Sequence, residues 1–193
     1  MKKIFFLIIS IVIISSDVIA QNHKIGIKAG YTTSSARFRN NNLFFGSSGV
    51  SRGNDWYGYI NGVQIGLPVN IDFGNDFLHI DITPQYSKYG FENLSRVELD
   101  YLDFDIGVSN INTQSISKII GGIGITPSLL ISSKNITDEN NFDLKVYMLV
   151  GYRFTKKLSL YAQVKYGFIE LVPDSETNNF QISFNLNYSI FNF

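Results

Sequence analysis

Residues 180–190 alternate one apolar and one polar side chain without a break. Phe180, Ile182, Phe184, Leu186, Tyr188 and Ile190 share one parity, and Gln181, Ser183, Asn185, Asn187 and Ser189 the other. Successive side chains of an extended strand point to opposite faces, so this run predicts a strand with one apolar and one polar wall. Residues 158–168 repeat the pattern, with Leu160, Ala162, Val164, Tyr166 and Phe168 on the apolar side. Six further runs predict strands at 24–32, 57–69, 77–89, 99–109, 118–132 and 144–154. Their lengths lie near the roughly 9–11 residues that a tilted strand needs to cross a bilayer, and an even number of strands returns both termini to one side. Beyond residue 20 no stretch of about 18 apolar residues predicts a spanning helix.

The connections support the same arrangement. The first, 33–56, is long and rich in Ser, Asn and Gly. It is followed by a short link at 70–76, then 90–98, a short link at 110–117, then 133–143, a turn at 155–157 and finally 170–179. With the N-terminus in the periplasm, the longer connections fall outside the cell, as bacterial barrels require. Two prolines, Pro84 and Pro127, fall inside predicted strands, where each removes a ladder donor; bulges are expected there.

Alternation alone does not say which wall faces in, because a lipocalin-like barrel or a β-sandwich has the same period. Glycine decides. Gly26, Gly30, Gly58, Gly62, Gly66, Gly122, Gly124, Gly151 and Gly167 lie on the polar walls, where they suit a narrow lumen and have no use against solvent. Aromatic residues gather near strand ends: Tyr31, Trp56, Tyr57, Tyr59, Tyr86, Tyr89, Tyr152, Phe154, Tyr166, Phe168, Tyr188 and Phe193 predict two interfacial girdles. The predicted fold is all-β: an eight-stranded antiparallel up-and-down transmembrane β-barrel in the bacterial outer membrane. Phe193 breaks the parity of Ile190, which calls for a bulge near Asn192.

The first twenty residues have a different character. Lys2 and Lys3 precede apolar runs at 4–9 and 11–14, and Val18-Ile19-Ala20 offers small residues at the positions a signal peptidase needs. A signal peptide at 1–20, cleaved after Ala20, is therefore expected, with residues 21–193 forming one barrel domain. The 193 residues are 45% hydrophobic and 15% aromatic with a formal net charge of +0, which excludes the clustered basic face of a nucleic-acid binder. There is no cysteine, hence no disulfide and no lipid-attachment site after the signal.

The inward parity collects the candidate chemistry. Lys28, His79, Asp81, Asp103, Asp105, Lys145, Arg153 and Lys165 form a predicted lumen polar network, accompanied by Gln64, Thr83, Gln85, Ser87, Tyr101, Tyr147, Tyr161 and Gln163. The acids fall on the third and fourth strands and the bases on the first, sixth and seventh, which lie on opposite walls of an eight-strand ring. Buried charges are costly unless paired, so ion pairs across a filled lumen are expected rather than an open pore. His79 and Asp81 are the one imidazole–carboxylate pairing that invites a test for hydrolysis. Ser87, on the same wall, lies too far along an extended strand to serve as nucleophile; a hydroxyl from another strand could take that place, but a histidine satisfied within the lumen, with no catalytic set, is the expectation. No spaced His/Cys set and no phosphate-cradling glycine loop is present, so neither metal nor cofactor is expected. Asp138, Glu139 and Asp143 are expected in a solvated loop.

Several of these runs, in this order, resemble the PorT-like outer-membrane-protein β-barrel family of Bacteroidota. The resemblance rests on Gly26-Ile27-Lys28-Ala29-Gly30, on Gly62-Val63-Gln64-Ile65-Gly66-Leu67, on Pro84-Gln85-Tyr86-Ser87-Lys88-Tyr89-Gly90, on Asp100-Tyr101-Leu102-Asp103-Phe104 and on Ile123-Gly124-Ile125-Thr126-Pro127. It departs at Asp105, where members often carry proline. It implies an eight-stranded outer-membrane barrel without one shared activity, its name-giver being associated with protein secretion. The expected role is a non-enzymatic scaffold whose extracellular loops, 33–56 foremost, bind a ligand or shield the surface. The alternatives are a narrow pore for small solutes, an accessory part of a secretion system and, ranked below them, a lipid-modifying enzyme. Expected partners are outer-membrane lipid and lipopolysaccharide, the barrel-assembly machinery and an extracellular ligand of loop 33–56.

Overall fold

A computed structural model describes residues 24–39, 44–46, 49–51, 54–56, 58–71, 79–92, 96–110, 118–136, 139–171 and 177–192. The expected signal peptide at 1–20 lies outside these residues. Twelve strands follow one another: β1 (Lys24–Arg39), β2 (Phe44–Gly46), β3 (Gly49–Ser51), β4 (Asn54–Trp56), β5 (Gly58–Gly66), β6 (Val69–Ile71), β7 (His79–Glu92), β8 (Arg96–Ser109), β9 (Ile119–Lys134), β10 (Phe142–Arg153), β11 (Leu158–Gly167) and β12 (Thr177–Asn192). The main sheet is antiparallel throughout and runs in chain order, and β12 pairs with β1 to close it. β4, β5 and β6 all pair with β1 at successive heights, so they share one position between β1 and β7. The ring therefore has eight positions. β2 and β3 form a separate hairpin within the first connection.

Burial is inverted relative to a soluble protein. Met148 and Val150 are each 63% exposed, whereas Lys28, Lys145 and Lys165 are at most 1% exposed. Ile27, Val63, Ile65, Ile123, Ile125, Phe184 and Leu186 continue the exposed apolar wall around the ring. Tyr31, Tyr59, Tyr86 and Phe168 ring it at one end, and Tyr152, Phe154 and Tyr188 at the end that carries the chain termini. Tyr89, expected in a girdle, instead points inward and is 1% exposed. The side chains of Trp56, Tyr57 and Phe193 lie outside the described residues.

The strands run further than the alternation predicts. β1 continues through 33–39, so only part of 33–56 is a connection, and β7 and β8 leave just 93–95 between them where 90–98 was expected as a loop. The reason lies in the surroundings. Past Tyr86 the outward positions Lys88, Glu92, Arg96 and Glu98 are polar while Tyr89, Phe91, Val97 and Leu99 are buried inside, so polar and apolar walls exchange roles once the outer face meets water.

Neither proline carries a bulge. Pro84 stays in register opposite Phe104, and Pro127 opposite Leu144. Pro84 instead faces the interruption at Leu67 and Pro68 between β5 and β6, where Leu67 N–H donates to Pro84 O at 3.0 Å and Gly26 N–H donates to Pro68 O at 2.9 Å. Two strand partners that lack donors thus meet at one nick in the ladder. Bulges occur elsewhere. The β8–β9 register slips between Asp100 and Tyr101, and the β1–β12 register slips between Ile25 and Gly26. The second slip skips Ile190 and returns Phe191 to the outer wall at 55% exposed.

Candidate functional site

Three layers fill the barrel. At the terminal end Ile120 and Tyr161 are buried with Leu149 packed against them. At the opposite end Ala36, Tyr89, Phe91, Val97, Leu99, Tyr101 and Leu171 form an apolar cap, joined by Leu130 and Ile136. Leu171 is held over the mouth by the chain on either side: its N–H donates to Thr177 O at 2.8 Å, and its carbonyl accepts from Asn140 N–H at 2.8 Å. Between these layers lies the charge.

Asp105, on β8, receives Lys165 Nζ at 2.5 Å and Lys28 Nζ at 3.1 Å. Thr126 Oγ1 donates to it at 2.7 Å, Gln163 Nε2 at 3.1 Å and Gln85 Nε2 at 3.3 Å. Asp103, two residues away on the same wall, receives Lys145 Nζ at 3.2 Å and lies 3.5 Å from Lys165. Lys145 also donates to Ser128 Oγ at 2.7 Å and to Tyr89 Oη. Its ammonium sits 4.5 and 4.6 Å from the ring centres of Tyr89 and Tyr101, which stack in parallel 4.7 Å apart. Cation–π contact in a desolvated site adds to the ion pairs. Lys28 on β1 and Lys165 on β11 reach Asp105 from three places round the ring on either side of β8, so these contacts cross the lumen, whereas Lys145 on β10 lies two places from β8.

Glycine makes space for two inward tyrosines. A Cβ on Gly124 would lie 2.6 Å from the Tyr147 ring, and one on Gly151 would strike Tyr161. Among the described residues a cavity of ≈ 20 Å³ is lined by Lys28, Asn70, Asp81, Asp105, Tyr147 and Tyr161 among others. That is room for about one water.

Of the eight predicted network residues, five meet: Lys28, Lys145 and Lys165 with Asp103 and Asp105. The other three stand apart. Asp81 accepts from Asn70 and Ser109 near the terminal end. Arg153 donates to Asn110 O at 2.6 Å at the rim. His79 is 4% exposed and pairs in register with Ser109. The fold brings the hydroxyl of Ser109, on the neighbouring strand, opposite His79. Ser109 Oγ donates to the Asp81 carboxylate. Among the described residues no cluster of three His, Cys, Asp or Glu side chains offers a metal site.

Asp143 departs from its expected place in a solvated loop. It is 2% exposed on β10, 3.9 Å from Lys145, and accepts from Asn179 Nδ2 at 3.1 Å. Its parity with Lys145 was the available signal. Thr126 and Ser128 were also missed, because the glycines before them on the same wall of β9 dilute its polar pattern.

The sequence matches no family model and no curated protein. Among solved structures it is similar to Neisserial surface protein A, at 14% identity over 86% of this chain and 97% of that one, with a TM-score of 0.51. Ail of Yersinia pestis aligns at 13% identity over 88% and 99% with a TM-score of 0.46, and OprG of Pseudomonas aeruginosa at 13% over 88% and 96% with 0.47. At such identities the likeness is one of fold. A closed antiparallel ring with an apolar outer wall, aromatic girdles and a charged interior is a membrane-spanning β-barrel, its backbone groups satisfied strand to strand and its apolar side chains offered to lipid. Its place is the bacterial outer membrane.

Proposed function

We propose that the protein is a closed, non-enzymatic outer-membrane scaffold that displays its longer connections at the cell surface. The filled lumen supports this reading best: among the described residues an ion-paired layer lies between two apolar layers, and the cavity beside it has room for about one water. Moving an ion through it would require breaking the Lys28, Lys145 and Lys165 contacts inside a low-dielectric wall. In this reading the short turn at 155–157 and both termini face the periplasm, and the first connection, with its β2–β3 hairpin, faces outward to bind a ligand or shield the surface. Within the class, the runs from Gly26, Gly62, Pro84, Asp100 and Ile123 make a PorT-like barrel of Bacteroidota the finer assignment. A secretion accessory role then follows as the second reading, tested by capture of periplasmic partners. Single-channel recording of refolded protein in planar bilayers tests the first. A flat trace is expected, and stepwise openings from folded protein would overturn the closed scaffold.

A further inference from the structure

The outer wall at the terminal end carries cations with no use in the lumen. Lys118, at the start of β9, and Lys156 and Lys157, on the turn between β10 and β11, are all exposed. Lys118 Nζ lies 6.0 Å from the ring centre of Tyr152, whose own ring packs edge-on against Phe154 at 5.4 Å. The turn is fixed: Thr155 Oγ1 accepts from the N–H groups of Lys157 at 3.2 Å and Leu158 at 3.0 Å. Arg153 N–H donates to Lys118 O at 2.8 Å, which ties the two segments together. Just inside the membrane from these cations stand Ile119, 64% exposed, Val150, 63%, and Leu160, 41%. Among the described residues the carboxylate at this end is Asp81, which is buried inside the barrel, so none of them sets an acid on this rim to compete for the lysines.

We propose that this patch holds an anionic phospholipid of the inner leaflet, its phosphate among Lys118, Lys156 and Lys157 and its acyl chains along Ile119, Val150 and Leu160. The proposal rests on the membrane reading and on a periplasmic terminal end. Charge complementarity selects the headgroup, because a zwitterionic lipid offers the same chains but no net negative charge. Each basic residue near a membrane surface strengthens attraction to anionic lipid several-fold, and the effect weakens with salt. The backbone of the turn is already fixed by Thr155, which lowers the cost of binding.

Native mass spectrometry of the detergent-solubilised protein with equal amounts of phosphatidylglycerol and phosphatidylcholine of matched chains tests this. The wild type should retain phosphatidylglycerol in preference. The variant Lys118→Gln/Lys156→Gln/Lys157→Gln should lose that preference by on the order of tenfold or more. A second variant, Lys88→Gln/Arg96→Gln/Lys134→Gln at the opposite end, should keep it. Heat-dependent gel migration reports separately that each variant is a folded barrel, so a failed membrane reading is distinguishable from a failed lipid site. Equal retention of both lipids by folded wild type, or equal loss in the two variants, would overturn the proposal.

Discussion

Neutralising Asp105 probes the interior most sharply, because among the described residues it is the carboxylate that both Lys28 and Lys165 approach within about 3 Å. At an effective dielectric constant of about 20, unit charges 3.1 Å apart attract by about 5 kcal/mol. Most of that attraction offsets the desolvation of the same ions, so it is not a net stability. Asp105→Asn leaves the desolvation in place and removes the compensation. Removing one partner of a buried pair costs about 3–5 kcal/mol, and that loss is expected here. Lys28 has Asp105 as its ion-pair partner whereas Lys165 also lies near Asp103, so Lys28→Met is the informative second substitution. In the double variant Lys28 no longer faces a missing acid, and a coupling of about 1–3 kcal/mol should appear. Urea unfolding from phospholipid vesicles, followed by circular dichroism and gel shift, measures all four forms. A loss below about 1 kcal/mol for Asp105→Asn, or additivity within about 0.5 kcal/mol, would refute the buried network as a coupled unit.

Other consequences follow from the same architecture. Gly124→Val should lose about 1–3 kcal/mol in the same unfolding assay, since its side chain meets the Tyr147 ring, whereas Gly121→Val, whose Cβ enters open space, should change stability little. Met148→Lys, midway along the lipid-facing wall, should cost about 2–4 kcal/mol in vesicles, while Lys156→Gln on the exposed turn should stay within about 0.5 kcal/mol. On the outer wall above the girdle, Lys88 donates to Glu98 at 2.9 Å, with Arg96 and Lys134 close by. These cations hold the Glu98 carboxyl below its ordinary range, the bond from Lys88 first among them. Because the folded value is depressed, the contribution is present above the ordinary glutamate range and fades as pH falls through the folded value. Lys88→Gln should move the Glu98 titration upward in a carboxyl-resolved NMR experiment; an unmoved midpoint would remove Lys88 as its cause.

The ring of strands is legible in the sequence wherever one face meets lipid and the other a polar lumen, as along Leu158–Gly167 and 180–190. It fades where the surroundings change. Residues 33–39 belong to β1 yet lack an apolar outer wall because that part of the strand leaves the membrane, and the sequence TSSARFR therefore resembles a loop. In β7 and β8 the alternation persists but changes sign beyond Tyr86, which period alone registers as disorder in the pattern. Parity identified the charged residues of the interior, since a lysine on the wall opposite the lipid-facing one can point only into the lumen. It did not say which pairs meet. Contacts such as Lys28 with Asp105 depend on the stagger of strands on opposite walls, and hydroxyl partners such as Thr126, Ser128 and Ser109 carry too little signal to separate from ordinary strand residues.

The barrel's orientation in the membrane requires Met148, Val150, Ile123 and their neighbours to face lipid while Lys28, Lys145 and Lys165 face inward. Envelope fractionation combined with heat-dependent migration on a denaturing gel tests that orientation directly. The protein should be found in the outer-membrane fraction, and its unheated, folded form should migrate apart from the boiled one. Recovery as a soluble periplasmic protein would contradict it.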